Sequence, residues 1–449
     1  MDTLLVIKRI KIFVLCFPHL GTLDSWLPVI SRMNDLTDHP IFTLIIPDAM
    51  ILRNFDRDNA VAEISNNIFN RVLIHAYDDI WIEHKSLFNS MEWYQNNRTV
   101  LRLFDILKRL IKKRLFFYIL IWPLILLRNK IYNKECKIKY EELNKIAHKT
   151  DVLLYDIHSE RNRIVSNILK LFINNKYSLP HALTMAIDKD LPVNIIKKTN
   201  IINKDNNIKE YVYAKFQGRQ HSIKYGTDEN KICVVGIPRH DQKWIKKIQE
   251  ESPKLPSHFD NNKTVVLLSR HVSNAYCLFD EKNQSIKNIK KIFIDKLGMR
   301  VVVKRHPSEK KERIYSGKNE TIYEDVFGLN NYGLTWIYSD LHVFALGKGK
   351  KLAINLNTGV VFDMVAMGIP CIDYLDSNRR EVTQFTHHGG VVETASNYGE
   401  LSAYVDKCLR NPGKISELSK NRYKKYFPLS NDISKKIATE ILRENKVVV

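Results

Sequence analysis

An apolar run, Met299–Val303, is followed at once by Lys304-Arg305-His306-Pro307-Ser308-Glu309. Two cations and an imidazole at a strand end suit an anion, because open α/β sheets bind ligands at the carboxyl ends of their strands. Pro307 fixes its own φ and holds His306 extended. His306 can then donate to a phosphate oxygen while Lys304 or Arg305 supplies charge, and Ser308 is counted with them. Lys310 and Lys311 follow, so the competing explanation is a solvated basic turn. A second junction, Asn355-Leu356-Asn357-Thr358-Gly359, leads into Val360-Val361-Phe362-Asp363. Asn357, Thr358 and Gly359 stand where a helix begins, so free backbone N–H groups and the positive dipole end are expected to face a ligand. Asp363 is placed in the same donor-side group. Thr358 can cap the helix, bind phosphate, or both.

The first half of the chain offers a different chemistry. Asp156 and Glu160 lie in Tyr155-Asp156-Ile157-His158-Ser159-Glu160-Arg161, after one apolar run and before a helix. Carboxylates at such a strand end suit a general base or a nucleophile, although an Asp can equally cap the helix. Ser178-Leu179-Pro180-His181 brings an imidazole to the next strand end, and His19 beside Gly21 brings a third. Acceptor chemistry on one wall of a cleft and donor binding on the other is the expected arrangement.

The elements that must hold these residues alternate between strand and helix. Lys11–Cys16, Ile41–Pro47, Val72–Ala76 and Asp151–Tyr155 read as strands, with helices near Asp24–Met33 and Arg161–Ile173. The rhythm resumes at Thr264–Leu268 and continues through helix Ile286–Leu297, strands Leu352–Ile354 and Pro370–Tyr374, and helix Val361–Met367. Such alternation predicts parallel sheets covered by helices. With 449 residues the chain exceeds one core, so two Rossmann-like domains are expected. The boundaries read as 1–245 and 262–428, joined through the polar stretch Glu250–Lys263, with 429–449 as a helix packing back across both.

Seventy Lys+Arg against 49 Asp+Glu give a formal charge of +21, which favours polyanionic or phosphorylated partners. Lys, Asn and Ile are abundant together, so compositional bias accounts for part of that excess. No basic surface interleaved with aromatics and no nucleic-acid motif is present, and nucleic acid is not expected as a partner. The six cysteines are scattered without a CxxC pair or a Cys/His cluster, so neither a metal nor a disulfide framework is expected. Lys8, Arg9 and Lys11 interrupt the first apolar segment, which therefore reads as a buried strand and not a signal peptide.

One segment departs from this pattern. Residues 100–149 carry thirteen Lys/Arg and four Asp/Glu around the uncharged run Leu115–Leu127. Thirteen helical residues span about 20 Å, short of a ~30 Å hydrocarbon core. Basic flanks on a short apolar, aromatic-rich helix predict an insertion lying on an anionic membrane surface. The expected location is cytoplasmic, peripheral on the inner face of the cytoplasmic membrane.

Gly236-x-Pro-Arg-x-Asp241, the His306-Pro307 pair and Thr358…Phe362-Asp363, in that order, resemble the CDP-glycerol glycerophosphotransferase and capsule-polymerase group. They also resemble the bacterial polysialyltransferases and Kdo transferases that share an HP motif. The resemblance covers roughly residues 150–410 and implies the GT-B fold, an α/β architecture of two Rossmann-like domains facing a central cleft. It implies a nucleotide on the C-terminal domain, with His306 on its phosphate and Ser269 and Arg270 lining the same site. A cytidine-linked donor and a catalytic group on the N-terminal domain near Asp156 follow from it, and a lipid-linked oligosaccharide is the expected acceptor. No DxD stands at a strand end in a suitable context, so no metal cofactor is expected. The Ser-Ser of the glycerophosphotransferases is Asn357-Thr358 here, and the acidic pair of the polysialyltransferases is missing. A Kdo or related ulosonic acid is thus the leading donor, with CDP-polyol phosphotransfer as the alternative. Nucleotide-sugar epimerisation is the second enzymatic class.

Overall fold

Runs such as Thr264–Leu268 are buried at every position and offer water no polar face, so they must be covered on both sides. In the computed structural model this happens twice, in two separate sheets. The structure describes residues 9–18, 20–77, 80–111, 137–157, 162–181, 208–272, 277–306, 322–378, 391–428 and 432–447. Pro123, Ile125, Leu126, Lys130, Ser159 and Glu309 are described in addition.

The first sheet comprises β1 (Lys11–Leu15), β2 (Ile41–Ile46), β3 (Arg71–Tyr77), β4 (Ile80–His84), β5 (Lys137–Lys139), β6 (Val152–Tyr155), β7 (Asn175–Ser178), β8 (Ile208–Val212) and β9 (Ile232–Val234). Its spatial order is β5-β4-β3-β2-β1-β6-β7-β8-β9. All neighbours are parallel except β3–β4 and β4–β5, which form an antiparallel edge. The second sheet, β10 (Thr264–Leu268), β11 (Arg300–Lys304), β12 (Trp336–Tyr338), β13 (Ala353–Asn355), β14 (Cys371–Tyr374) and β15 (Glu393–Ala395), is parallel throughout. Its order is β12-β11-β10-β13-β14-β15. In each sheet the strand order reverses beside the first strand, at β1/β6 and at β10/β13. These are the switch points where a doubly wound sheet opens a crevice at its carboxyl edge.

The helices are α1 (Leu20–Leu36), α2 (Leu52–Phe55), α3 (Asn59–Ile68), α4 (Leu87–Ile111), α5 (Tyr140–His148), α6 (Arg163–Leu171), α7 (Lys215–Tyr225) and α8 (Gln242–Glu251). They continue as α9 (Phe279–Ile289), α10 (Ile322–Phe327), α11 (Val343–Gly347), α12 (Val361–Ala366), α13 (Tyr398–Arg410), α14 (Pro412–Tyr426) and α15 (Ile433–Glu444). The apolar face of α1 buries Leu23, Trp26, Leu27 and Ile30 against the first sheet. Trp26 is fully buried and keeps its indole N–H satisfied by donating to the Tyr155 carbonyl at 2.9 Å. The same apolar cluster continues through Trp244 and Ile248 of α8 to Phe344, Met364, Tyr423 and Phe427 of the second half.

The chain crosses between the halves twice, and the crossings touch. Gly236 takes φ +92, and a Cβ there would stand 2.4 Å from the Pro428 carbonyl oxygen on the returning strand of chain. Only glycine satisfies both demands. Asp241 then accepts from the Ile433 and Ser434 N–H groups at 2.9 and 2.7 Å, occupying the exposed donors at the start of α15. That helix packs on α1 and is tied to the first sheet by Lys209 with Glu440 and Glu444.

The region 100–149 is described in part. Helix α4 extends to Ile111, and β5 and α5 follow from Lys137. The run Leu115–Leu127 lies outside the described residues apart from Pro123, Ile125 and Leu126. Among the described residues, no helix is long and apolar enough to cross a membrane.

Candidate functional site

At the β10/β13 switch point the chain turns sharply at Asn357, which takes φ +52 and is fully buried. Asparagine is among the few residues that enter this left-handed region readily. The turn is braced from below: Asp373 on β14 accepts from the Asn357 N–H at 2.9 Å and from the Asn355 amide at 2.5 Å. Thr358 N–H is taken by the Asn355 side chain at 3.2 Å. The expectation that these N–H groups are free for a ligand is therefore corrected for Asn357 and Thr358, because Asp373 and Asn355 already use them. From the neighbouring strand end, the Arg270 guanidinium donates to the Asn357 carbonyl. Burial raises the Asp373 carboxyl to about 7 against the pull of those donors and of Arg270.

The β11 end is organised by Glu309, which closes a turn with His306. Glu309 N–H donates to the His306 carbonyl at 3.0 Å, and the His306 N–H returns to the Glu309 carboxylate. The same carboxylate accepts from Ser269 Oγ at 2.5 Å and pairs with Lys282 of α9. The His306 ring lies 4.9 Å from that of His271, centroid to centroid. Burial and the adjacent Arg270 lower the His271 pKa, and its Nδ1 is buried with no protein partner. Lys304 and Arg305 leave this cluster. Lys304 donates to the Leu341 carbonyl at 2.5 Å, and Arg305 stacks on Tyr338 at 4.1 Å. Burial lowers the Lys304 pKa, with Asp58 of the first half the leading opposing charge. Lys304 thus lies within reach of the first half's charges, and so does Arg305, whose charge helps lower the pKa of Arg57. Ser308 lies outside the described residues.

On the first sheet the β6 and β7 ends bring Asp156 and His181 together. Asp156 Oδ2 accepts from the His181 N–H at 3.1 Å and meets its ring Nδ1. Asp156 is fully buried, whereas the His181 side chain keeps 21 % of its surface exposed. A buried carboxylate orienting a partly exposed imidazole is the arrangement of a base and its positioning partner. The buried Tyr213 hydroxyl donates to the Pro180 carbonyl and accepts from Ser25 Oγ at 3.0 Å. Gly21 lies in the first turn of α1, beside Thr22, whose hydroxyl donates to the Phe17 carbonyl at 2.8 Å. His19 and Glu160 lie outside the described residues.

The two crevices meet through an ion-pair network absent from the sequence reading. Arg239, on the first crossing, binds Asp24 of α1 at 3.0 Å and Asp363 of α12 at 3.1 Å. His240 donates to Asp363 at 2.7 Å and accepts from Tyr423 at 2.5 Å, as a neutral imidazole can. Burial lowers the His240 pKa in agreement with that state. His342, at the start of α11, donates to Asp24 at 3.3 Å and accepts from the Phe344 N–H at 3.2 Å. Burial opposes ionisation of Asp24, yet His342 and Arg239 overcome it and hold the carboxyl well below its usual range. Asp363, expected on the donor, is thus engaged with the crossing. Among the described residues, no three His, Cys, Asp or Glu side chains converge as a metal site.

No protein-family model matches this sequence, and no curated protein matches it. Solved structures do match. A putative UDP-N-acetylglucosamine 2-epimerase from Listeria monocytogenes superimposes with a TM-score of 0.55 at 12% identity, covering 98% of each chain. S. aureus MnaA in a co-structure with UDP gives 0.54 at 10%, again over 98% of each. A variant of the wall teichoic acid polymerase TagF gives 0.52 at 11%, over 98% of this chain and 90% of that one. At such identities the likeness speaks for architecture alone, and with the two switch-point sheets it fixes that architecture: the chain has the GT-B fold.

Proposed function

We propose that the chain is a glycosyltransferase of surface-glycan assembly, moving a sugar from a nucleotide-activated donor to a lipid-linked acceptor. The observation that carries this reading is the convergence of Arg270, His271 and His306 at the crevice of the second sheet, while an Asp156–His181 pair stands at the crevice of the first. Arg270 and the two imidazoles there would stabilise a departing nucleotide phosphate without a metal. His181 would take the proton of the acceptor hydroxyl, with Asp156 stabilising the imidazolium. The acceptor oxygen then bonds to the anomeric carbon as the bond to the nucleotide phosphate breaks. The donor is read as a cytidine nucleotide carrying Kdo or a related ulosonic acid, and Leu115–Leu127 as the segment holding the enzyme on the inner membrane face.

Epimerisation of a nucleotide sugar is the second reading, favoured by the Listeria monocytogenes neighbour, a putative UDP-N-acetylglucosamine 2-epimerase. CDP-polyol phosphotransfer is a variant of the first, favoured by the polymerase neighbour. Incubation with CMP-Kdo, CDP-glycerol and UDP-GlcNAc, with and without a lipid-linked acceptor, separates them. Nucleotide release that requires acceptor supports transfer, and the donor consumed names its kind. Acceptor-independent conversion of UDP-GlcNAc would replace the proposal with epimerisation.

A further inference from the structure

Glu309 is only 3% exposed, and so are its neighbours Ser269 and Lys282 at 2% and 4%. Its carboxylate is a shared acceptor for the Ser269 hydroxyl, the Lys282 ammonium and the His306 backbone N–H. These three donors come from three elements: the end of β10, the first half of α9 and the end of β11. Ser269 N–H also donates to the Lys304 carbonyl at 3.0 Å, so the two strand ends are locked in register just before they diverge. Tyr323 completes the cluster, with its hydroxyl on Ser269 and its ring 5.2 Å from the Lys282 ammonium.

A buried ion pair is a costly way to hold two strands together. Well-packed apolar residues of similar volume would serve as well or better. The particular thing that this cluster achieves is geometric. It pins the His306 backbone through two hydrogen bonds with Glu309, of which the carboxylate on the His306 N–H is the acidic half of a capping box. It also fixes Ser269, two residues before His271. The consequence is a set separation between the two imidazoles, whose centroids lie 4.9 Å apart at an interplanar angle of 44°. Two imidazoles at that spacing cannot both be protonated at low cost unless an anion lies against them. They are suited to accept a phosphate together with a proton.

Building on the donor-site reading above, we propose that Glu309 is a positioning residue. With Lys282 as its counter-ion, it sets the His271–His306 pair so that one phosphate group of the donor is held by both rings, with proton uptake on binding.

The test uses the full chain and four probes, CMP, CDP, UDP and GDP, titrated calorimetrically in two buffers of different ionisation enthalpy near pH 7.5. The variants are Glu309→Gln/Lys282→Met, which removes both buried charges, and Glu309→Asp, which keeps the charge but shortens its reach. Wild type is expected to take up protons as it binds its best nucleotide. Either variant that folds is expected to bind that nucleotide at least tenfold more weakly, with proton uptake reduced by half or more. A folded variant binding within twofold of wild type, with unchanged uptake, would overturn the proposal. If wild type binds none of the four, the donor-site reading fails by itself. Glu309 is then judged without ligand, from the ¹⁵N ring resonances of His271 and His306. Altered titration of either ring in a folded variant supports the positioning role, and identical titrations overturn it.

Discussion

Replacing Asp373 by Asn should stabilise the protein at alkaline pH and destabilise it in acid. The carboxyl is fully buried beneath the Asn357 turn, and burial raises its pKa from 3.8 to about 7. Each unit is worth about 1.4 kcal/mol, so three units correspond to about 4 kcal/mol of penalty once the folded protein must ionise this group. The sign follows from the order of the two pKa values. Below the unfolded value both states hold the proton. Between there and pH 7 the unfolded chain gives up its proton while the folded one keeps it, so stability falls as pH rises and levels off above 7. Asparagine keeps the Oδ1 acceptor for Asn355 and Asn357. Its amide nitrogen replaces Oδ2, a buried atom with no hydrogen-bond partner, at a cost of about 1–3 kcal/mol. The net gain is therefore about 1–3 kcal/mol at pH 8, shrinking to nothing or reversing by pH 5. Urea unfolding of both proteins at half-unit pH steps measures it, with the midpoint shift converted through a common slope. A difference that is independent of pH would refute a neutral, buried Asp373.

Other substitutions test the ion-pair network, the first-sheet crevice and the basic segment read from the sequence. Arg239→Ala strips the shared cation from Asp24 and Asp363 and should cost about 3–5 kcal/mol, read as a lowered unfolding midpoint. Asp156→Asn should leave substrate affinity near wild type but lower kcat by about 10²–10⁴-fold, as should His181→Ala, and the double variant should be no worse than either alone. Additive losses in that cycle would show the two residues acting separately. Lys112→Glu, Lys113→Glu and Arg114→Glu together should abolish binding to vesicles containing anionic lipid, since each charge near the surface is worth about 1 kcal/mol. Sedimentation unchanged by the triple substitution would remove the membrane role of this segment.

Much of the architecture is legible in the sequence because buried parallel strands are continuous apolar runs. Thr264–Leu268 and Val152–Tyr155 could hardly be anything else. Helix α15 is marked by apolar spacing from Ile433 to Leu442 and is observed over Ile433–Glu444. Strands β5 (Lys-Ile-Lys) and β15 (Glu-Thr-Ala) carry no continuous apolar run, unlike the equally short β13. The antiparallel edge formed by β4 and β5 therefore lacks a signal in β5, whose single apolar residue is Ile138. The strand-end residues are legible as positions but not as partners. His306 signals itself through its turn, yet nothing local pairs it with His271, or Glu309 with Lys282. Asp363 reads as a donor ligand until Arg239 and His240, more than a hundred residues earlier, are brought against it. Asp373 sits inside an apolar strand, where one polar residue signals nothing until the turn above it is known.

The central claim is that the second-sheet crevice binds a nucleotide through His306. Isothermal titration of the full chain and of His306→Ala with CMP, CDP, UDP and GDP tests it most directly. The account predicts that a cytidine nucleotide binds wild type best and that His306→Ala, with an unchanged melting temperature, binds it at least tenfold more weakly. A wild-type chain that binds none of the four, or a folded His306→Ala variant that binds as tightly as wild type, would contradict it.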